Sequence, residues 1–344
     1  MRLCLALAAT LLLTSLPAYA ELPARYSRPV KAVAPTLMNV PYASGMAAIP
    51  VYASADMTKP QPDITRAVLI FHGLLRNADS YFEAGLEAQR AAGPAGTSAI
   101  VMAPQFLATS DIPAHNLPAN TLGWRVDAWA GGEPATMPAP LSGFDAVDAI
   151  LVKLSDRSLF PKLRTVVIAG FSAGGQIVQR YAVVGEGEAA LTKAGIGTEY
   201  VVSDPSSYLY FTAERPLPNA SCANADRWRY GFDAAVPPYV KLPPAALEAR
   251  YVARHVTYLI GMADTDPNHP LLDKSCAGET QGPQRFARGH NYFSMLQQRD
   301  GGALRHVLID VPGIAHEGRK MFNSPCGLRA LFGTPGCAEI DGNR

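Results

Sequence analysis

The stretch Thr165-Val-Val-Ile-Ala-Gly170-Phe171-Ser172-Ala173-Gly174-Gly175 decides the fold that this sequence specifies. A β-branched, apolar run ends abruptly in the pattern G-x-S-x-G, and a helix-forming run to about Val184 follows it. A strand, a sharp turn and a helix in this order hold a serine hydroxyl out of a sheet if small residues stand two positions before and after it. Gly170 and Gly174 meet that need, so the stretch predicts a nucleophile elbow with Ser172 at its tip.

Short apolar strands alternate with helical patterns along the rest of the chain, which predicts an α/β fold with a mostly parallel sheet and helices on both faces. Strands are predicted near residues 49–53, 66–71, 98–103, 164–169, 199–203, 256–260 and 306–310, and helices near residues 79–91, 144–155, 173–184, 284–298 and 316–331. Residues 21 to about 47 look like an irregular arm. Long insertions near 105–140 and 204–247 follow strands, so both are expected to lie like lids at the edge that carries Ser172.

The first twenty residues predict a secretory signal peptide. Arg2 precedes an apolar stretch over Leu3–Leu13, and Pro17-Ala18-Tyr19-Ala20 supplies an A-x-A cleavage pattern. The apolar stretch is too short to span a membrane. Residues 21–344 are therefore expected to form one exported domain, secreted or periplasmic, with no integral membrane segment. Its 17% charged residues, formal net charge of +1 and lack of long like-charge runs predict no nucleic-acid partner.

Four cysteines follow the predicted signal peptide, an even number that favours two disulfides in an exported chain. Four cysteines allow three pairings. The short, glycine-rich spacing between Cys326 and Cys337 favours a local bridge, which leaves Cys222 to pair with Cys276. No His/Cys cluster predicts a metal site, and no cofactor is expected.

A serine nucleophile requires an imidazole that takes its proton. His316 lies in the loop Pro312-Gly-Ile-Ala-His-Glu-Gly318 after the last predicted strand, at the edge that carries Ser172. The other histidines are less suitable: they lie beside prolines in loops (His115, His269), at strand starts on the opposite edge (His255, His306), in a helix (His290) or in the wrong loop (His72). His316 is therefore the predicted base.

Three aspartates are candidates for the carboxylate that orients His316. Asp264 follows an apolar strand and Gly261, whose turn favours a carboxylate directed back over the sheet. Asp204 ends the preceding strand directly before Pro205, and Asp266 lies two residues beyond Asp264. An aspartate in a turn often only bonds its own backbone. Asp264 is favoured, with Asp204 and Asp266 as open alternatives.

An oxyanion hole is expected from two backbone N–H groups, those of Leu74 and Ala173. A predicted strand runs into His72-Gly73, where glycine permits the turn that directs the next N–H toward a substrate oxygen. Ala173 begins the helix after the elbow, whose positive end faces the same place. His72 is interpreted as a structural hydrogen-bonding residue.

Aromatic and polar side chains near this edge are predicted to bind substrate. Trp124 and Trp129 lie in the first insertion, while Arg76 and Tyr81 follow the predicted oxyanion loop. Tyr208 and Tyr210 of the second insertion are read as exposed side chains that also contact sugar or aromatic groups. If the tryptophans line a lid, they select the acyl group without taking part in the chemistry.

These motifs together resemble those of the α/β-hydrolase superfamily, and the resemblance covers most of the chain. They are His72-Gly73, the GFSAGG elbow, Asp264 and His316, in the order serine, acid, histidine. The stretches FPKLRTVVIAGFSAGGQIVQRYA, VVSDPSSYLYF and VPGIAHEGRKMF are similar to those of exported serine esterase-like hydrolases. The resemblance implies an eight-stranded sheet and acyl transfer to water. Phe171 departs from common elbows, and it is expected to face away from the attack path with little effect.

The leading functional hypothesis is a secreted serine hydrolase that cleaves carboxylic esters through an acyl-enzyme on Ser172, with a small-molecule or polymeric ester as substrate. Alternatives among enzymes are a polymer or aryl-ester hydrolase, of the polyhydroxyalkanoate depolymerase or feruloyl esterase kind, and a serine peptidase. A non-enzyme alternative is a binding protein on an inactive hydrolase scaffold. The superfamily carries many activities, so the fold does not define the substrate.

Overall fold

The structure is a computed structural model that describes residues 26, 28–299, 302 and 304–337. The predicted signal peptide lies outside these residues. Within them, eight strands form one sheet and two short strands form a second. The main sheet contains β1 (Thr36–Tyr42), β2 (Gly45–Ala53), β3 (Arg66–Phe71), β4 (Ala99–Pro104), β7 (Thr165–Phe171), β8 (Gly197–Ser203), β9 (His255–Gly261) and β10 (Val307–Val311); the small sheet pairs β5 (Leu107–Ala108) with β6 (Gly123–Trp124).

Helices connect most of the parallel strands and pack against the main sheet. Those of the described residues are α1 (Ala78–Ala91), α2 (Pro94–Thr97), α3 (Asp111–Ala114), α4 (Ala128–Gly131), α5 (Gly143–Leu154), α6 (Ala173–Val184), α7 (Glu188–Lys193), α8 (Pro244–Val252), α9 (Cys276–Glu279), α10 (Arg285–Arg299), α11 (Gly318–Asn323) and α12 (Pro325–Phe332). The apolar core is divided into two clusters. One contains Val166 and Ile168, and the other contains Val167 and Ala169, so successive side chains of β7 belong to different clusters and both faces of the strand are covered.

The strand order of the main sheet is β1-β2-β4-β3-β7-β8-β9-β10. The β1–β2 and β2–β4 pairs are antiparallel, and every other neighbouring pair is parallel. The predicted eight-stranded, mostly parallel sheet is therefore confirmed. Because parallel strands end at one edge, the loops after β3, β7, β8, β9 and β10 meet there.

Two sequence-based boundaries are wrong. The predicted irregular arm contains β1, an edge strand that buries Met38 and Val40 against β2. The single helix predicted over residues 316–331 is divided into α11 and α12 at Ser324. Ser324 caps α12 by accepting a hydrogen bond from the Gly327 N–H, and Pro325 lacks the N–H that a continuous helix would use.

Two disulfides join Cys222 to Cys276 and Cys326 to Cys337, as the spacing predicted. The Cys222–Cys276 bridge joins the second insertion to the segment before α10. The Cys326–Cys337 bridge joins α12 to the segment that follows it. No helix among the described residues has the length and apolar character that crossing a membrane requires.

Removing each disulfide with a paired Cys→Ser substitution is expected to lower the free energy of unfolding by an amount that grows with the logarithm of the length of the loop that the bridge closes. The sequence separations are 54 and 11 residues. Loop-closure entropy then gives about 4 kcal/mol for Cys222–Cys276 and about 3 kcal/mol for Cys326–Cys337. Urea denaturation of the two double variants measures both values. A larger loss from the shorter bridge would contradict this entropic account.

Candidate active site

Ser172 lies at the turn between β7 and α6, as the elbow motif predicts. Its backbone has φ 59° and ψ −119°, a strained conformation for a residue with a side chain. Its N–H donates to the Ser203 carbonyl at 3.0 Å, which fixes the turn to the neighbouring strand β8. A Cβ atom at Gly170 would overlap the backbone of Gly174, and one at Gly174 would overlap the carbonyl of Phe71. Only glycine fits at these two positions.

A hydrogen-bonded chain links Ser172, His316 and Asp264. The distance from Ser172 Oγ to His316 Nε2 is 3.0 Å, and that from His316 Nδ1 to Asp264 Oδ2 is 2.6 Å. The side chains of His316 and Asp264 are 6% and 2% exposed. The Asp264 carboxylate accepts a hydrogen bond from the Nδ1–H group, which leaves Nε2 free to accept the Ser172 hydroxyl proton.

The loops after β9 and β10 bring His316 and Asp264 together. Strand β9 pairs with β10 in register up to Gly261 and Val311. Beyond the strands, the Met262 N–H donates to the Val311 carbonyl at 3.1 Å, and the Ala263 N–H donates to the Ile314 carbonyl at 2.9 Å. These two bonds hold one loop against the other, so the distance between acid and base is set by backbone contacts.

The electrostatics favour a neutral imidazole beside an ionised carboxylate. Burial lowers the pKa of His316 to about 4, although the hydrogen bond to Asp264 opposes this effect. Burial alone would raise the pKa of Asp264, but the hydrogen bond from His316 and the charge of Arg285 bring it below its usual value. Near neutral pH, His316 is therefore able to accept a proton from Ser172.

The two alternative acids have other partners. Asp204 is fully buried at φ 40°, and its carboxyl oxygens accept the Gly261 N–H at 3.0 and 3.3 Å. Burial and the nearby charge of Asp264 raise the pKa of Asp204 well above its usual value. Asp266 accepts the Asn268 N–H at 2.8 Å in an exposed turn. Of the three candidates, the structure brings only Asp264 into hydrogen-bond contact with His316.

The two N–H groups proposed for the oxyanion hole lie on adjacent strand ends. Strands β3 and β7 pair in register up to Phe71 and Gly170, so the loop that carries Leu74 lies beside the elbow. As the first residue of α6, Ala173 has an N–H without an intrahelical acceptor. No acceptor for the Leu74 N–H is present in the described part of the chain. Both groups remain predicted donors to a substrate oxygen.

His72 shapes the loop that carries Leu74. Its Nδ1 donates to the Gly73 carbonyl at 2.9 Å, and its Nε2 accepts the Phe106 N–H at 2.9 Å. Complete burial lowers its pKa to about 4, so the ring stays neutral. His72 thus ties the loop to the first insertion, in agreement with the structural interpretation.

Arg76 is not placed to bind substrate, which corrects its predicted role. Its side chain is 1% exposed and forms an ion pair with Asp111, with Nε 2.9 Å from Oδ2. Its other nitrogens donate to the carbonyls of Tyr26 at 2.6 Å and Arg28 at 2.8 Å. The guanidinium therefore fastens the amino-terminal arm to the first insertion.

The aromatic side chains of the insertions are also placed differently from the prediction. Trp124, Trp129, Tyr208 and Tyr210 all have 0% exposure and belong to the apolar core. Trp129 packs against the rings of His72 at 4.6 Å and Phe106 at 5.1 Å. These residues anchor the insertions, so the expectation of exposed aromatic contacts is wrong. Selection of the acyl group by the two insertions remains a prediction.

Tyr81 is half-buried beside the oxyanion loop. It lines a cleft of 160 Å³ with Asn77 and Arg319, between α1 and α11. Burial raises the pKa of the Tyr81 hydroxyl above its usual range, and a hydrogen bond from the Gly73 backbone offsets only part of this rise. The hydroxyl thus contacts the glycine that shapes the predicted oxyanion hole. Its role toward substrate remains a prediction.

Three contacts of the site were missed at the level of sequence. The Phe171 ring packs 4.6 Å from the His316 ring. The expectation that this departure from common elbows has little effect remains a prediction. The His269 ring makes an edge contact with the His316 ring, and their centroids are 4.9 Å apart. Arg285 forms a buried ion pair with Asp264. His269 and Arg285 each follow Asp264 within 21 positions, but no periodic pattern marks them.

Comparisons with models of known protein families and with curated protein sequences found no match. Solved structures do match. Poly(aspartic acid) hydrolase-1 from Sphingomonas sp. KT-1 is 22% identical, with a TM-score of 0.58, over 87% of this chain and 99% of that chain. A poly(3-hydroxybutyrate) depolymerase from Bordetella parapertussis is 22% identical, with a TM-score of 0.59, over 88% of this chain and 93% of that chain.

These likenesses and the strand order define the fold. The protein has the α/β-hydrolase fold, as the sequence motifs predicted. At this level of identity the comparison concerns the fold alone, and the activity has to be argued from the site.

Proposed function

We propose that this protein is a serine hydrolase that cleaves carboxylic esters through an acyl-enzyme on Ser172. The observation that carries the proposal is the continuous hydrogen-bonded chain from Ser172 through His316 to Asp264. These three hydrogen-bonded side chains lie at the sheet edge, beside the first N–H of α6. A nucleophile, a base, an orienting acid and N–H donors in one place are what acyl transfer requires.

In the proposed reaction, His316 Nε2 takes the Ser172 proton while Oγ forms a bond to the ester carbonyl carbon. The carbonyl oxygen becomes negative and accepts hydrogen bonds from the N–H groups of Leu74 and Ala173. The tetrahedral intermediate then breaks its bond to the alcohol, which leaves with the proton from His316. Water, deprotonated by His316, attacks the acyl-enzyme, and Ser172 regains its proton as the acid is released.

A polymeric ester is a second candidate substrate. Of the two similar structures, one is named as a depolymerase of the polyester poly(3-hydroxybutyrate), and the other is named for hydrolysis of poly(aspartic acid), a polymer joined by amide bonds. Two disulfides and the predicted signal peptide support a protein that acts outside the cytoplasm, where polymers too large for uptake are degraded. We therefore propose secretion or export to the periplasm together with this activity.

A fluorophosphonate probe is expected to label Ser172 and to block hydrolysis of nitrophenyl esters. The Oγ of a serine that an adjacent base activates displaces fluoride from the probe and becomes phosphonylated, so the adduct reports the nucleophile without knowledge of the substrate. Mass spectrometry of peptides locates it. Ser172→Ala should carry no adduct, while Ser158→Ala, which changes an exposed serine before β7, should be labelled like the wild type.

The same experiment separates the alternatives. A folded wild-type protein that takes no label would contradict the proposal and favour a binding protein on this scaffold. Labelling together with release of soluble products from emulsified poly(3-hydroxybutyrate), and weak activity on short nitrophenyl esters, would favour the polymeric substrate. Cleavage of peptides in preference to both ester types would favour a peptidase.

A further inference from the structure

A buried guanidinium lies behind the proposed catalytic acid. Arg285 begins α10, and its side chain is 0% exposed. Its Nη1 lies 3.5 Å from Asp264 Oδ1, and its Nε donates to Ser206 Oγ at 3.0 Å. His316 binds the other carboxylate oxygen, Oδ2, at 2.6 Å. The guanidinium and the imidazole therefore hold the two oxygens of one carboxylate.

We propose that Arg285 is a positioning residue of this active site: it keeps Asp264 ionised and directed at His316, and it keeps His316 neutral in acidic solution. The inference rests on the proposed function and assigns a further residue to the same site. Arg285 acts through Asp264 and does not touch the reacting atoms.

The charges around His316 come from several elements. Asp264 and His269 belong to the segment after β9, Arg285 belongs to α10, and Asp204 follows β8. One side-chain oxygen or nitrogen from each of Asp204, Asp264 and His316 lies within 4.8 Å of the others. Burial and the nearby charge of Asp264 raise the pKa of Asp204 well above its usual value, which favours the protonated form of Asp204. Asp264 then carries the negative charge that the Arg285 cation balances.

These charges determine the direction in which removal of Arg285 shifts the pH dependence of activity. Besides burial, the Arg285 charge lowers the pKa of His316, and the same charge lowers that of Asp264. Removing the cation must raise both pKa values. Activity requires a neutral His316 and an ionised Asp264, so the acid limb of the pH profile must move to higher pH. A residue that only supported the fold would lower activity equally at every pH.

Arg288 provides a matched control. It lies on the same helix and has 0% exposure, but it donates to the backbone carbonyls of Gly282 at 2.8 Å, Ser206 at 2.5 Å and Asp273 at 2.9 Å. Its substitution removes an equally buried cation that has no contact with Asp264 among the described residues. Any loss of stability common to both arginines appears in this variant too.

The experiment measures the rate of fluorophosphonate labelling and kcat/KM for a nitrophenyl ester across the acid limb, which lies near pH 4 in the wild type if His316 controls it. Arg285→Gln is expected to move the limb upward by about one pH unit. Arg288→Gln should leave it in place. Arg285→Lys keeps the charge, so its limb should stay near that of the wild type while its rate falls at all pH values.

The possible results distinguish failure of the proposed function from failure of the role assigned to Arg285. Wild-type protein that neither reacts nor hydrolyses esters contradicts the proposed function. Active wild type with an unmoved limb in Arg285→Gln, or an equal shift in Arg288→Gln, overturns the role of Arg285. If Arg285→Gln does not fold, as judged by circular dichroism, Arg285→Lys decides: a limb displaced by a full pH unit would overturn the inference.

Discussion

Under the proposed function, replacing Ser172 by alanine is expected to lower kcat for ester hydrolysis by about 10⁶-fold, as loss of the nucleophile does in a serine protease. The Oγ atom 3.0 Å from His316 Nε2 forms the covalent bond, and the methyl group of alanine does not. The fold should persist, because the substitution keeps the backbone hydrogen bond from this position to the Ser203 carbonyl. Steady-state kinetics with a nitrophenyl ester, with circular dichroism as a check of folding, measures the effect.

The combination with His316→Ala tests whether the residues act as a unit. The double variant should be no slower than either single variant, because a base without a nucleophile has nothing to deprotonate. His269→Ala is the matched control, since this ring lies 4.9 Å from His316 and makes no hydrogen bond to Ser172 among the described residues. The proposed triad would be contradicted if the activity loss of the double variant equalled the product of the two single losses. It would also be contradicted if His269→Ala lost as much activity as His316→Ala.

Replacing Asp264 by asparagine is expected to lower kcat by ~10³–10⁴-fold without unfolding the protein. The asparagine amide would no longer give His316 Nδ1–H a charged acceptor, so the ring would lose the tautomer that directs Nε2 at Ser172. The rate constant for fluorophosphonate labelling should fall with kcat, because both depend on deprotonation of Ser172.

Asp204→Asn and Asp266→Asn are the controls for this prediction. Burial raises the pKa of Asp204, and its carboxyl accepts the Gly261 N–H, which an asparagine carbonyl oxygen also accepts, so the loss of activity in Asp204→Asn should be much smaller. Asp266→Asn should have the smallest effect, since its carboxylate only accepts the Asn268 N–H. If Asp204→Asn lost most of its kcat and Asp264→Asn lost little, the acid would be wrongly assigned. The proposal of a serine hydrolase would still stand.

The central part of the fold could be predicted from sequence because it depends on local patterns. Strand β3 was predicted over the residues that it occupies, since a strand covered on both faces is a continuous apolar run. Strand β1 was missed. It lies at the sheet edge and contains Asn39 and Pro41, which weaken the strand pattern without preventing pairing with β2.

The serine, acid and histidine positions could be proposed because each follows a strand, and the ends of parallel strands share an edge. The choice between Asp204 and Asp264 needed the hydrogen bonds between the loops after β9 and β10. The burial of Arg76 and Arg285 could not be predicted, since arginine is rarely fully buried and the partners lie 35 and 21 positions away. Nothing local distinguishes these arginines from surface cations.

The hydrogen bond between Ser172 and His316 joins residues 144 positions apart, and the base follows the last strand of the sheet. During synthesis from the amino terminus, the elbow therefore emerges long before its base. A chain that stops short of His316 has a nucleophile that nothing activates, however well its first strands pair. Under the proposed function, a chain that lacks this last segment cannot hydrolyse esters, and labelling by a fluorophosphonate therefore reports that β10 and the loop after it are in place.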